Sequence, residues 1–196
     1  MSVKIATVST FEAGAEKIVR AWRDARSPKL IRMEGFDGAG KSGLAKLVKG
    51  RIGAEHVEGD KFVDKFDDPP PYRDCLRRDE FDNELKQATA TGRVVIVDAV
   101  CLEEVAPSEK WGRGFVVYVK RISYSLPAPR WPPGLELDDE APTREVHRSI
   151  HLYHNRVRPH ETADLIVELP TVDYPMHKEI SDRSWCFDPE GAELLK

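Results

Sequence analysis

A chain of 196 residues, 40% apolar and 33% charged, has the make-up of one α/β domain, able to bury about 70% of the surface its unfolded form exposes. A formal net charge of -4 argues against a nucleic-acid partner, which needs a broad positive field. No apolar stretch reaches the roughly 18 residues of a membrane span, and the opening MSVKIATVSTFEAG lacks a basic flank before an apolar run, so no membrane partner and a cytoplasmic location are expected.

In chain order, Ser9 and Glu12 have capping-box spacing, and Phe11, Ala15, Ile18, Val19 and Trp22 recur at helical intervals up to Ser27 and Pro28. Leu30 to Glu34 is a short apolar run closed by Gly35. Beyond the glycine-rich turn, Leu44, Leu47, Val48 and Ile52 mark one face of a helix, giving strand, loop, helix. His56 and Val57 suggest a brief second strand, and 72–91 carries a mixed helical pattern that stops at Gly92. The runs 93–98, 114–122 and 164–168 read as three further strands. Alternating strands and helices predict an α/β fold, a three-layer arrangement with a mostly parallel five-stranded sheet and helices on both faces. Between the last two strands, Pro127, Pro129, Pro132, Pro133 and Pro142 with the acidic run 138–140 predict a surface excursion.

Cys75, Cys101 and Cys186 show no CxxC spacing, so reduced thiols are expected rather than a zinc site or disulfides.

Residues 35–42 fit GxxxxGK[ST] between the predicted strand and helix, the context that a phosphate-binding loop requires. Gly35, Gly38 and Gly40 let the backbone turn its N-H groups toward phosphate oxygens, and the helix N-terminus adds partial positive charge. Gly35, Phe36, Asp37, Gly38, Ala39, Gly40, Lys41, Ser42 and Gly43 are the expected ATP contacts, with Lys41 reaching the β and γ phosphates and Ser42 ligating Mg2+.

The loop, the Gly59-Asp60-Lys61-Phe62 block, the strand ending in Asp98 and the block 153–167 together resemble the uridine kinase and phosphoribulokinase group of P-loop small-molecule kinases. The GxDGAGKS form of the loop also resembles thymidylate kinase. The first resemblance implies a P-loop NTPase fold, Mg-ATP as phosphoryl donor and a small-molecule hydroxyl as acceptor. It implies that Asp60 takes the acceptor proton and helps organise Mg2+, and that Asp98, at a strand's carboxyl end, contacts Mg2+ or substrate indirectly. Lid arginines clamp the transferring phosphate in such kinases, which makes Arg144 and Arg148 candidates, with Arg121 and Arg130 as further contributors.

The lid is expected over about 123–156 of a single domain, 1–196. Its helix should present Val146, Ile150, Tyr153 and Val157 on one face and Arg144, Arg148 and His151 on the other. His147, His151 and His154 share one helical sector and are expected as a surface or lid cluster rather than a transition-metal site. The β-hairpin that uridine kinases place before the third of these strands has no counterpart here, which leaves the acceptor open. Alternatives are a nucleoside monophosphate kinase of the thymidylate type and a nucleotide-binding module without turnover. A homodimer is also left open.

Overall fold

The computed structural model describes residues 3–36, 38–64, 66, 70–122 and 145–170. The five expected strands are present as β2 (Leu30–Glu34), β3 (Glu55–Glu58), β4 (Val95–Ala99), β5 (Phe115–Ile122) and β6 (Leu165–Pro170). A sixth, β1 (Lys4–Thr7), precedes them. All six pair in parallel in the order β1-β6-β5-β2-β4-β3. The expected count of five is therefore corrected to six. Three of the four β1 residues are exposed, so this strand carries no buried alternation in its sequence; it forms because the outer edge of β6 offers unpaired backbone groups, with Lys4 opposite Leu165.

Two helices cover one face of the sheet. α1 (Phe11–Asp24) and α2 (Lys41–Ile52) pack Ile18, Val19, Trp22, Leu44 and Val48 against Ile31, Met33, Val117, Val119 and Val167. Gly14 allows that close approach, since a methyl there would meet Leu44 at 3.0 Å and Val167 at 3.4 Å. The cap of α1 is Thr10, whose hydroxyl accepts from Ala13 N–H at 3.1 Å. The expected Ser9 cap is thus one residue early, because the hydroxyl must reach a donor three residues on, inside the first turn.

The opposite face is covered by α3 (Arg78–Ala90), α4 (Leu102–Val105) and α6 (Glu145–Val157), which pack Phe81, Leu85, Leu102, Ile150 and Tyr153 against Val57, Val95 and Val97. Short helices α5 (Ser108–Trp111) and α7 (Pro159–Thr162) complete the described chain. Each fully buried leucine or isoleucine of these two cores contributes about 1.5–3 kcal/mol. No helix among the described residues is long and apolar enough to cross a membrane.

Side chains alternate across β2. Ile31 and Met33 face α1 and α2, whereas Arg32 and Glu34 face the other layer. Arg32 is 3% exposed and is satisfied by the Ala106 carbonyl at 2.6 Å and by Glu103 Oε2 at 2.7 Å. Glu103 Oε1 in turn accepts from the Ser108 N–H and hydroxyl. A buried charge of this kind persists only when paired and hydrogen-bonded, and here it fixes the chain leaving β4 beneath the carboxyl end of β2. The connections leaving β2 and β4 run to opposite sides of β2. That reversal opens a crevice at the carboxyl ends of the strands, where ligands bind in open α/β sheets.

Candidate functional site

The 35–42 loop joins the carboxyl end of β2 to α2; Asp37 lies outside the described residues. Gly35, at φ +153°, passes so close to β5 that an added Cβ would lie 2.3 Å from the Val119 carbonyl oxygen. No other residue fits. Gly40 caps α2 at φ +94° without a side-chain bond, so the first N–H groups of the helix keep no internal acceptor and face the loop. Phe36 and Ala39 are buried, Gly38 is exposed, and the Phe36 carbonyl accepts both Ala39 N–H and the Lys41 ammonium, the latter at 2.9 Å. Lys41, only 4% exposed, is therefore held inside the curve of the loop.

Ser42, the second residue of α2, reaches across to β4. Its hydroxyl donates to Asp98 Oδ2 at 2.7 Å, while His56 Nε2 lies 2.7 Å from Asp98 Oδ1. The Asp98 side chain is fully buried and both its oxygens are used, so it holds Ser42 in position from behind. Beyond Glu58, the partner of Asp98 in the β3–β4 register, the chain enters a 3-10 turn at Gly59–Phe62. A Cβ on Gly59 would meet the Ala99 Cβ at 2.8 Å and the Asp98 carbonyl at 2.9 Å, so glycine brings this turn against the end of β4. Asp60 follows at once. Its Oδ1 accepts from the Tyr72 hydroxyl at 2.9 Å, and Tyr72 N–H donates to Ser149 of α6 at 3.0 Å. Burial, then the Asp60 charge, raises the Tyr72 phenol well above its usual range, so it stays a donor.

Glu34, immediately before the loop, is 4% exposed. It accepts Leu102 N–H at 2.9 Å and the Tyr153 hydroxyl in a short bond. Burial pushes its carboxyl up to about 7, against the lowering effect of those two donors. Cys101 lies among the charges of Glu104, Glu34, Lys41 and Asp60, and burial raises its thiol well above the usual range. It is a neutral thiol, and Cys75 is likewise free and buried.

α6 docks on the loop from the other side. The predicted apolar face holds, with Ile150 and Tyr153 buried and Val146 and Val157 packed beside them. Two of the three histidines depart from the expected surface cluster: His154 is 1% and His151 9% exposed. The His154 ring stacks on Phe36 at 4.0 Å, and its Nδ1 lies 3.2 Å from the Tyr118 hydroxyl. His151 meets Phe36 edge-on at 5.6 Å, so it is not on the outer face. The aromatic surface of the loop drew both inward, an attraction that helical periodicity does not contain. Burial, then the nearby Lys41, lowers His154 to about 3, so the ring is neutral. Among the described residues no group of three His, Cys, Asp or Glu is arranged to hold a metal.

Of the lid candidates, Arg148 stands on the exposed side of α6 with Glu145 at 3.8 Å. Arg144, Arg130 and residues 123–143 of the expected lid lie outside the described residues. Arg121, at the end of β5, lies over the ring of Phe11 at 5.4 Å and donates to the Pro170 carbonyl at 3.3 Å.

No family model and no curated protein matches the chain. The sequence reading missed Glu34, Tyr153, His56 and Tyr72. One signal was available for Glu34: charges at 32 and 34 inside an otherwise apolar strand must be buried and therefore partnered. The partners of His56 and Tyr72 come from other elements.

Proposed function

We propose that the chain is a P-loop phosphotransferase that moves the γ-phosphoryl group of Mg-ATP to a hydroxyl of a small molecule. The observation that carries this reading is the arrangement at the strand ends: Lys41 held within a glycine-built loop, Ser42 braced by Asp98, and Asp60 on the turn that Gly59 sets against Asp98 and Ala99.

The donor set suits magnesium. Ser42 and Asp60 offer hard oxygens, with Asp98 behind them, and magnesium is commonly held by one or two carboxylates plus substrate phosphates rather than by an all-protein cage. When bound, the ion supplies charge neutralisation along the β and γ phosphates. The chain's own residues do the rest. The loop N–H groups and Lys41 bind the phosphates, with the ammonium turning from the Phe36 carbonyl toward them. As the acceptor oxygen bonds to the γ phosphorus, the bond from that phosphorus to the bridging oxygen breaks and its electrons leave on ADP; the acceptor proton passes to Asp60. Tyr72 orients Asp60 through its hydrogen bond, and its tie to Ser149 makes that orientation depend on the seating of α6.

The test is a screen of ADP release against nucleosides, vitamins, sugars and short alcohols, alongside their monophosphates. Acceptor-dependent ADP with a neutral hydroxyl supports the proposal. Turnover only with monophosphates favours the thymidylate-kinase reading, and ATP binding with no acceptor-dependent ADP favours a binding module.

A further inference from the structure

The loop glycines at 40 and 43 have a neighbour that no phosphate motif requires. A Cβ on Gly40 would lie 2.8 Å from the Phe11 ring, and one on Gly43 would lie 3.0 Å from it. Phe11 is the first residue of α1, so the N-terminal helix places an aromatic ring against the first turn of α2, in space that a side chain at position 43 would otherwise fill. Residues 11 and 43 are therefore sterically coupled. Over that ring lies the Arg121 guanidinium, 5.4 Å from the centroid, and it donates to the Pro170 carbonyl at 3.3 Å. Arg121 is half-buried there.

A nucleotide whose phosphates lie at the N-terminus of α2 must direct its base to one side of the loop. Toward α6 the way is closed by the stack of His154 on Phe36 and by the buried Lys41. Toward α1 it meets Phe11 and Arg121. We infer that Phe11 and Arg121 form a stacking platform for the purine base of the nucleotide, so that the N-terminal helix contributes directly to the nucleotide site. The chemistry is suited: a guanidinium plane carried on an aromatic ring is pre-organised, and every purine presents a π-face to it. This inference rests on the phosphate-loop reading above.

Calorimetric titration of the full chain with Mg-ATP and, separately, with Mg-tripolyphosphate tests it. Phe11→Leu and Arg121→Gln should each weaken Mg-ATP binding by about tenfold, within the range found for base stacking, and leave tripolyphosphate binding nearly unchanged. Circular dichroism verifies that each variant is folded, and the Arg121 substitution leaves the α1 packing intact should Phe11→Leu fail to fold. Equal losses for both ligands would mean that these residues act through the loop or the phosphates, and would overturn the platform. Wild-type protein that binds tripolyphosphate as tightly as ATP would overturn it too, while leaving the phosphate-loop reading standing. Binding of neither ligand would remove that reading and the platform with it.

Discussion

Replacing Glu34 by glutamine should remove a loss of folding stability that wild type suffers as pH rises from acid to neutral. The Glu34 carboxyl is pushed from an ordinary 4.5 to about 7, chiefly by burial. Between those two values the native state keeps a proton that the unfolded chain has lost, so stability is greatest below the lower value and falls as pH rises through the upper one. Converted at about 1.4 kcal/mol per pH unit, the separation amounts to about 3 kcal/mol. Glutamine does not titrate, and its carbonyl can still accept from Leu102 N–H and the Tyr153 hydroxyl. The stability of Glu34→Gln minus that of wild type should therefore rise by about 3 kcal/mol from pH 4.5 to 8, whatever its value at the acidic end. With a urea slope of about 2–3 kcal/mol/M for a small protein, the gap between the two denaturation midpoints should widen by about 1 M. His154 acts with the opposite sign. Held near 3 against an ordinary 6.5, it contributes stability present above 6.5 and lost as pH falls toward 3, equally in both proteins, so it cancels in the difference. Parallel stability curves for the two proteins across pH 4.5–8 would refute the argument.

Lys41→Ala should abolish phosphotransfer while circular dichroism and the urea midpoint show a folded protein, since among the described residues the ammonium donates to the Phe36 carbonyl of its own loop rather than to another element. Asp60→Asn should lower kcat by about 10² or more with much less effect on ATP affinity, the signature of losing a general base. Steady-state kinetics and titration separate the two quantities. Near-normal kcat on the best acceptor would shift preference to a monophosphate kinase, whose acceptor oxygen is already anionic. Gly59→Ala should destabilise by about 1–3 kcal/mol, as overpacking does, because the new methyl meets the Asp98 carbonyl and the Ala99 side chain within 3 Å; an unchanged midpoint in urea would contradict that contact.

Much of the local structure was legible in the sequence. The run 93–98 is apolar and β-branched, the helices at 11–24, 41–52 and 145–157 repeat at helical spacing, and the glycines at 35, 38 and 40 mark a turn that runs through positive φ. Lys41 and Ser42 were singled out by the GxxxxGK[ST] spacing and Asp98 by the end of an apolar run, whereas Asp60 was singled out by the resemblance to P-loop kinases. The β1 strand was not, since its pairing depends on an edge of β6 that lies 161 residues away in register, Lys4 against Leu165.

The inward positions of His151 and His154 show the same limit. Periodicity assigns a residue to a face of its own helix, yet whether that face is buried depends on what the rest of the chain presents to it, here Phe36 and Tyr118. The sequence alone determined the alternation of strands and helices, the phosphate-loop motif and the residue types available for chemistry, because these follow from local backbone preference and spacing. Only the tertiary structure decided the strand order, the bracing of Ser42 by Asp98 and His56, the tie from Tyr72 to Asp60, and the burial of Glu34 against Tyr153. Each of these joins groups from different elements, and their energies come from desolvation and hydrogen bonding that exist only once the elements have packed.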